Sequence, residues 1–346
     1  MEFAINRRRN RGSLGRSSMR WLKRRALPLA LGVAALATVG AGGAGIVSGG
    51  PDDRTGSASG APAGPPPKAD GGRPFPHPAR VAVMVLENRS YEQVIGSSSA
   101  PYINGLARRY ALGTRYYAVA HPSLPNYVAL TGGSMFEIKN DCSTCDVNAR
   151  NIVGQLDATG HTWKAYFEGL DTNHRPGPIT DEYNPYYNPF VFYEKVRGVT
   201  QDRDRVVDFD TLGRDLKGGR LADFVWIAPG IHHDGHNGSL RAADRYASGL
   251  VPQVLQALGP RGVLYLTWDE GLRSDRRGVG GSGGGRIALI AAGGAASRHT
   301  RTAVRADHYA LLRTLEAGFG LRTLGKAGDS STPLLRGLLD AAPGPG

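Results

Sequence analysis

The sequence predicts an α/β protein with a mainly parallel central sheet and helices on both of its faces, and two observations predict it. Apolar runs of strand length alternate with segments of helical spacing from Arg80 to Leu321, which is the pattern of consecutive βα units. Four of those runs also stop abruptly at polar residues with chemical potential, and in such sheets ligands gather outside the carboxyl ends of the strands.

The elements follow in chain order. RVAVMVLEN (Arg80–Asn88) is a continuous apolar run ending in Glu87 and Asn88 and reads as a buried strand. PYINGLARRYAL (Pro101–Leu112) has helical spacing, and TRYYAVA (Thr114–Ala120) returns to strand composition before AHPSLPNYVALTGG, which sets Ser123 at the start of an apolar helical segment. NIVGQLDATG (Asn151–Gly160) reads as a helix with a glycine stop, and TWKAYFEG (Thr162–Gly169) as a strand. ADFVWIAPG (Ala222–Gly230) is a strand running into HHDGHNG, and RAADRYASGLVPQVLQAL (Arg241–Leu258) is helical. VLYLTWDEG (Val263–Gly271) is a strand ending in Asp269 and Glu270, RIALIAAGG (Arg286–Gly294) a further strand, and DHYALLRTLEAGFGL (Asp307–Leu321) a final amphipathic helix.

The formal charge of +12 resembles a nucleic-acid signal until it is located. Met1 to Arg25 carries eight Arg and one Lys against one Glu, a net +8, so +12 − 8 leaves +4 for everything else. Without a basic face on the domain itself, no nucleic-acid partner is expected. The uncharged, apolar stretch Ala26–Val47 follows that basic start. Together they read as an export signal over residues 1–47, with an uncleaved membrane anchor as the open alternative. Either way the remainder is expected outside the cytoplasm, secreted or held on the outer face of the cytoplasmic membrane. Residues 48–78 are rich in Gly, Pro, Ser and Ala and read as a disordered linker, which leaves 79–341 as the folded domain. The only cysteines are Cys142 and Cys145. An exported location favours a local disulfide between them over a redox or metal-binding pair.

Ser123 lies after a strand and before a helix, where backbone amides and the helix dipole favour an anion; as a plain helix cap it would need no chemistry. Glu87, Asp269 and Glu270, with the amide oxygen of Asn88, are hard oxygen donors suited to a divalent cation, and a cation on Ser123 would lower its pKa. Ion pairing with arginines is the structural alternative for these acids. His232, His233, Asp234 and His236 fall within seven residues and offer metal ligands, phosphoryl contacts or a proton for a leaving group. Gly278 to Gly283 fits G-x-G-x-x-G literally, but it precedes a strand instead of opening a helix, so it reads as a mobile loop near the site.

With these residues in view, the sequence resembles the phosphoesterases that include bacterial phospholipases C and secreted acid phosphatases, within the alkaline phosphatase superfamily. The matching pieces are VLENRSYEQVIG, HPSLPNYVALTGG, HHDGHNG, TWDEG and DHYALLRTLEAGFGL, in the family's order from Arg80 to about Leu335. The resemblance implies an alkaline phosphatase-like three-layer sandwich with Ser123 as nucleophile. It implies a divalent metal ion of unknown identity held by Glu87, Asn88, Ser123, Asp269 and Glu270, with Asp234 as a further ligand. His232, His233 and His236 would contact phosphate or the leaving group; Asn88, His121 and Arg286 would contact the substrate. Tyr127 stands where the related sulfatases need an arginine, which argues against a sulfatase. Many relatives carry histidines where this chain has Tyr187 and Arg286, a departure that favours one metal over two.

The expectation is therefore an exported phosphoesterase working through a phosphoseryl intermediate, with metal and helix amides stabilising the charged transition state. An acid phosphatase-type monoesterase, with phosphoinositides among its substrates, is the first reading. A phospholipase C-type phosphodiesterase is the second, and an envelope protein that binds a phosphorylated ligand without turnover is the third.

Overall fold

The computed structural model describes residues 75–171, 178–198 and 204–340. The export-signal reading and most of the linker fall outside them. The last linker residues do not: Phe75 is buried, and the His77 ring bonds the Gly318 carbonyl at 2.9 Å. Among the described residues no helix is long and apolar enough to cross a membrane.

Eleven strands are present among the described residues: β1 (Arg80–Leu86), β2 (Ala111–Tyr117), β3 (Trp163–Phe167), β4 (Val206–Asp208), β5 (Phe224–Ala228), β6 (Gly262–Trp268), β7 (Arg277–Gly278), β8 (Gly281–Ser282), β9 (Arg286–Gly293), β10 (Thr300–Thr302) and β11 (Ala306–Asp307). The main sheet runs β10-β2-β9-β6-β1-β5-β3-β4, with β11 also on β2. β1 sits at its centre, parallel to β5 and β6, and Val81 to Leu86 are all buried there. A strand covered on both faces needs no alternation, which is why this segment is apolar throughout. β9 is the exception to the parallel order, antiparallel to both β6 and β2. It therefore begins, at Arg286, on the edge where β1, β2, β5 and β6 end.

The helices are α1 (Tyr91–Val94), α2 (Pro101–Arg109), α3 (Ser123–Gly132), α4 (Ile152–Ala158), α5 (Glu194–Arg197), α6 (Phe209–Lys217), α7 (Leu240–Leu258) and α8 (His308–Gly318). α2, α6 and α7 form one layer, while α3, α4 and α8 pack as the other, so the α/β sandwich is present. All ten residues of α3 are buried, since it is wedged between the sheet and α8. Its end is fixed by Gly133, which has φ 75° and whose missing Cβ would lie 2.2 Å from the Leu324 carbonyl oxygen; no other residue fits both demands.

Two local expectations shift. β2 starts at Ala111, inside the segment read as helix, because Tyr110 turns extended and Ala111 to Gly113 pair with β9. The glycine run forms the β7–β8 hairpin instead of an open loop. It passes so close to the chain entering α3 that a Cβ on Gly284 would lie 2.1 Å from the Ala120 carbonyl oxygen. The glycines there serve close backbone approach. Cys142 and Cys145 are joined by a disulfide.

Candidate active site

The carboxyl ends of β1, β5 and β6 bring four carboxylates to one edge of the sheet. Glu87 is 1% exposed, Asp234 0%, Asp269 1% and Glu270 4%. Among the described residues no Lys or Arg forms an ion pair with any of them; the one basic ring bonded to the group is His121, on Glu270 at 2.7 Å. Burial, then the charges of Asp269 and Asp234, push the Glu87 carboxyl well above its usual range. Burial and Glu270 do the same to Asp269. Burial raises Asp234 to about 7 and also lifts Glu270, against the pull of His121. Buried, mutually repelling carboxylates resist ionisation wherever the bonds they receive do not offset the loss of solvent.

The cluster is bound together through its first residues. Asn88 adopts φ 54°, a left-handed conformation that asparagine tolerates. This turn lets its N–H donate to Asp269 Oδ1 and its side-chain amide to Glu87 Oε2, both at 2.9 Å. Ser90 caps α1. His308, fully buried, donates from Nε2 to the Asp269 carbonyl at 2.6 Å and accepts from the Tyr116 hydroxyl at Nδ1. Burial lowers it to about 4, so it stays neutral and acts as a backbone clamp.

Ser123 opens α3, and its hydroxyl donates to Glu87 Oε2 at 3.1 Å. The serine is no simple cap: Pro122 precedes the helix and no side-chain cap is formed. The helix amide expected to meet an anion is taken, because Leu124 N–H donates to Asp141 Oδ1 at 3.0 Å and Pro125 has no N–H. Asp141, beside the disulfide, is thus a neighbour of Ser123 that the sequence reading missed.

Of the remaining site residues, the structure brings some to the cluster and not others. His121 donates to Glu270 and to the Asp275 carbonyl at 2.8 Å; burial opposes its charge, but Glu270 raises it on balance. It is a partner of the acids and has no nitrogen left for substrate. His233 bonds Glu168 at 3.0 Å and stacks on Tyr246 with ring centroids 4.1 Å apart. His232 and His236 are exposed on the same loop. The guanidinium of Arg286 is committed to the Thr114 carbonyl, to Glu92 at 3.0 Å and to the Tyr91 ring at 3.9 Å. These partners tie the Arg286 guanidinium to the rim, and no bond joins it to the four inner acids among the described residues. Glu168 and Tyr127 were also missed. Glu168 ends β3 in the same strand-then-acid pattern that flagged the others, whereas a tyrosine inside an apolar helix carries no such signal.

A family model described as the Phosphoesterase family matches residues 97–322, more than half of the chain. The chain belongs to that family. Among relatives, a probable acid phosphatase of Kluyveromyces lactis is 26% identical over 71% of this chain and 59% of its own length. A phosphatidylinositol-3-phosphatase of Mycobacterium tuberculosis is 29% identical over 72% of this chain and 79% of its own. This phosphoesterase chain therefore spans little more than half of the yeast relative. A solved structure of a protein in the alkaline phosphatase superfamily from Vibrio parahaemolyticus superposes with TM-score 0.53 at 12% identity, covering 76% of this chain and 72% of that one. That likeness shows the fold.

The donor set fits a divalent cation in its chemistry. Among the described residues Asp234 Oδ2 and Asp269 Oδ2 are buried and have no hydrogen-bond partner, and a positive ion would stabilise such mutually repelling carboxylates. Among the described residues no three His, Cys, Asp or Glu side chains converge closely enough to hold a metal ion as they stand, so the fit is one of donor chemistry and not of a formed ligand set.

Proposed function

We propose that this chain is an exported, divalent-metal-dependent phosphomonoesterase that works through a phosphoseryl intermediate on Ser123. The observation that carries the reading is the hydrogen bond from a buried serine hydroxyl to one of four clustered carboxylates that have no Lys or Arg ion-pair partner among the described residues. A purely structural cluster would be paired or neutralised.

A divalent cation held by Glu87, Asn88, Asp234, Asp269, Glu270 and Ser123 Oγ would supply the positive charge that makes the serine nucleophilic and neutralises the phosphoryl group. Glu87 Oε2, already the acceptor of the Ser123 hydroxyl, receives its proton as the Oγ–P bond forms and the bond to the leaving oxygen breaks. The leaving oxygen takes a proton from the histidine loop, where His233 is oriented by Glu168. Water then attacks phosphorus and gives a proton back to the histidine loop, the Oγ–P bond breaks, and Ser123 Oγ regains its proton from Glu87. Asp141 yields the Leu124 N–H as a phosphoryl oxygen enters.

Names of relatives support a phosphate monoester, with phosphorylated inositol lipids as one substrate class. The basic start and apolar stretch of residues 1–47 support export. The test is to offer the full chain p-nitrophenyl phosphate, phosphatidylinositol 3-phosphate and phosphatidylcholine, and to quench the first with acid for mass spectrometry. Phosphate release from the monoesters and phosphoserine at Ser123 are expected. Diacylglycerol release from phosphatidylcholine alone would move the assignment to a phospholipase C, and binding without turnover would leave a ligand-binding envelope protein.

A further inference from the structure

Ser123 and Tyr127 stand four residues apart on α3, one turn of helix, so their side chains share a face. Both hydroxyls point at one carboxylate. Ser123 Oγ donates to Glu87 Oε2 at 3.1 Å, and the Tyr127 hydroxyl donates to Glu87 Oε1. Asn88 adds a second donor to Oε2. Tyr127 is itself immobilised: it is 1% exposed, with the Tyr187 ring stacked 6.1 Å away and Trp226 at 6.2 Å. A phenol so placed in an apolar helix has no other polar partner among the described residues. It occupies the position where a sulfatase sequence would carry arginine, and it answers the carboxylate with a neutral donor.

We propose that Tyr127 is a positioning residue that holds Oε1 of Glu87, so that the carboxylate plane is fixed and Oε2 is presented toward Ser123 and the cation. This rests on the metal-dependent reading above. One rigid helix then sets the nucleophile and the orientation of its neighbouring ligand together, without a mobile side chain between them. Outer partners of metal ligands act in this way, and losing one typically costs about 10- to 100-fold in metal affinity or activity. A neutral donor also leaves the carboxylate's negative charge available to a cation, whereas an arginine there would neutralise it.

The test is calorimetric titration of the full chain, stripped of metal, with Mn²⁺, Zn²⁺, Mg²⁺ and Ca²⁺ in turn. Wild type, Tyr127→Phe and Tyr193→Phe are compared, with melting temperatures in chelator as the fold control. Tyr193 is the matched control, a buried phenol bonded to Thr131 and Val128 of the same helix and not to Glu87. The expected result is about a 10- to 100-fold weaker affinity in Tyr127→Phe with Tyr193→Phe within about twofold of wild type, and a fall in kcat larger than any rise in KM. Equal affinity in wild type and Tyr127→Phe overturns the role of Tyr127 while leaving the metal site standing. Equal weakening in both variants also overturns it, because loosening of α3 would then suffice. A wild type that binds none of the four ions sinks the metal reading and this role with it. Should Tyr127→Phe not fold, tyrosine difference absorption of the wild type during the titration decides: a shifted phenol band is expected, and an unchanged band overturns the role.

Discussion

Two groups of carboxylates behave oppositely, although Glu92 lies five residues from Glu87 and Asp275 five from Glu270. Glu92 and Asp275 sit on the rim with Arg277 and Arg286: Arg277 meets Glu92 at 2.9 Å and Asp275 at 2.6 Å, and Arg286 meets Glu92 at 3.0 Å. Asp275 is held down to about 2, its partial burial outweighed by bonds to Arg277 and Arg286. Hydrogen bonding to Arg277 lowers Glu92 as well. Glu87, Asp234, Asp269 and Glu270 are buried more deeply, have no such arginines, and are all raised. The rim acids are complete as folded. The inner acids are favoured protonated or beside a cation, and this contrast marks them as the candidate site and the rim as scaffold.

The largest expected effect comes from removing one inner charge. Asp269→Asn keeps an acceptor for the Asn88 N–H and relieves repulsion with Glu87 and Glu270. Turnover should fall by at least about 100-fold, while the melting temperature in chelator rises by about 2–4 °C for each kcal/mol of repulsion relieved. A variant that loses activity and stability together would break the contrast.

Next is pH. Groups whose folded pKa is raised contribute stability that is fully present below the ordinary carboxylate range and lost as pH rises through the folded value. In chelator, the melting temperature should therefore drop between about pH 5 and pH 8, through the Asp234 value of about 7. Saturating metal should reverse the drop, and metal affinity should rise over the same interval because the ligands must shed protons. A flat profile in chelator would count against an uncompensated cluster.

The smallest effect belongs to the rim. Asp275 is lowered, so its contribution is present above the ordinary carboxylate range and lost only as pH falls toward about 2. Arg277 is 48% exposed, which screens the pair. Asp275→Asn should cost about 1 kcal/mol at pH 7, or about 2–4 °C, and leave metal affinity unchanged.

Much of this was legible in the sequence for a physical reason. Doubly covered parallel strands are apolar throughout, so an acid at the end of one, as in LEN or TWDEG, has no packing explanation and marks the site edge. The boundary of β2 was not legible, because Ala111, Leu112 and Gly113 are equally acceptable to a helix end until β9 arrives as their partner. The surroundings of Arg286 were not legible for the same kind of reason: its partners Thr114, Glu92 and Tyr91 lie over 170 positions away. Tyr127 reads as core by composition and is core by burial. Only the fold brings Glu87 to its hydroxyl.

The most direct test of the central claim is p-nitrophenyl phosphate hydrolysis by the metal-stripped full chain as divalent cations are returned, run beside Ser123→Ala. The account predicts turnover that is negligible in chelator, restored by a divalent cation, and lower by at least about 10³-fold in Ser123→Ala under the same conditions. Full turnover in chelator, or an active Ser123→Ala, would contradict it.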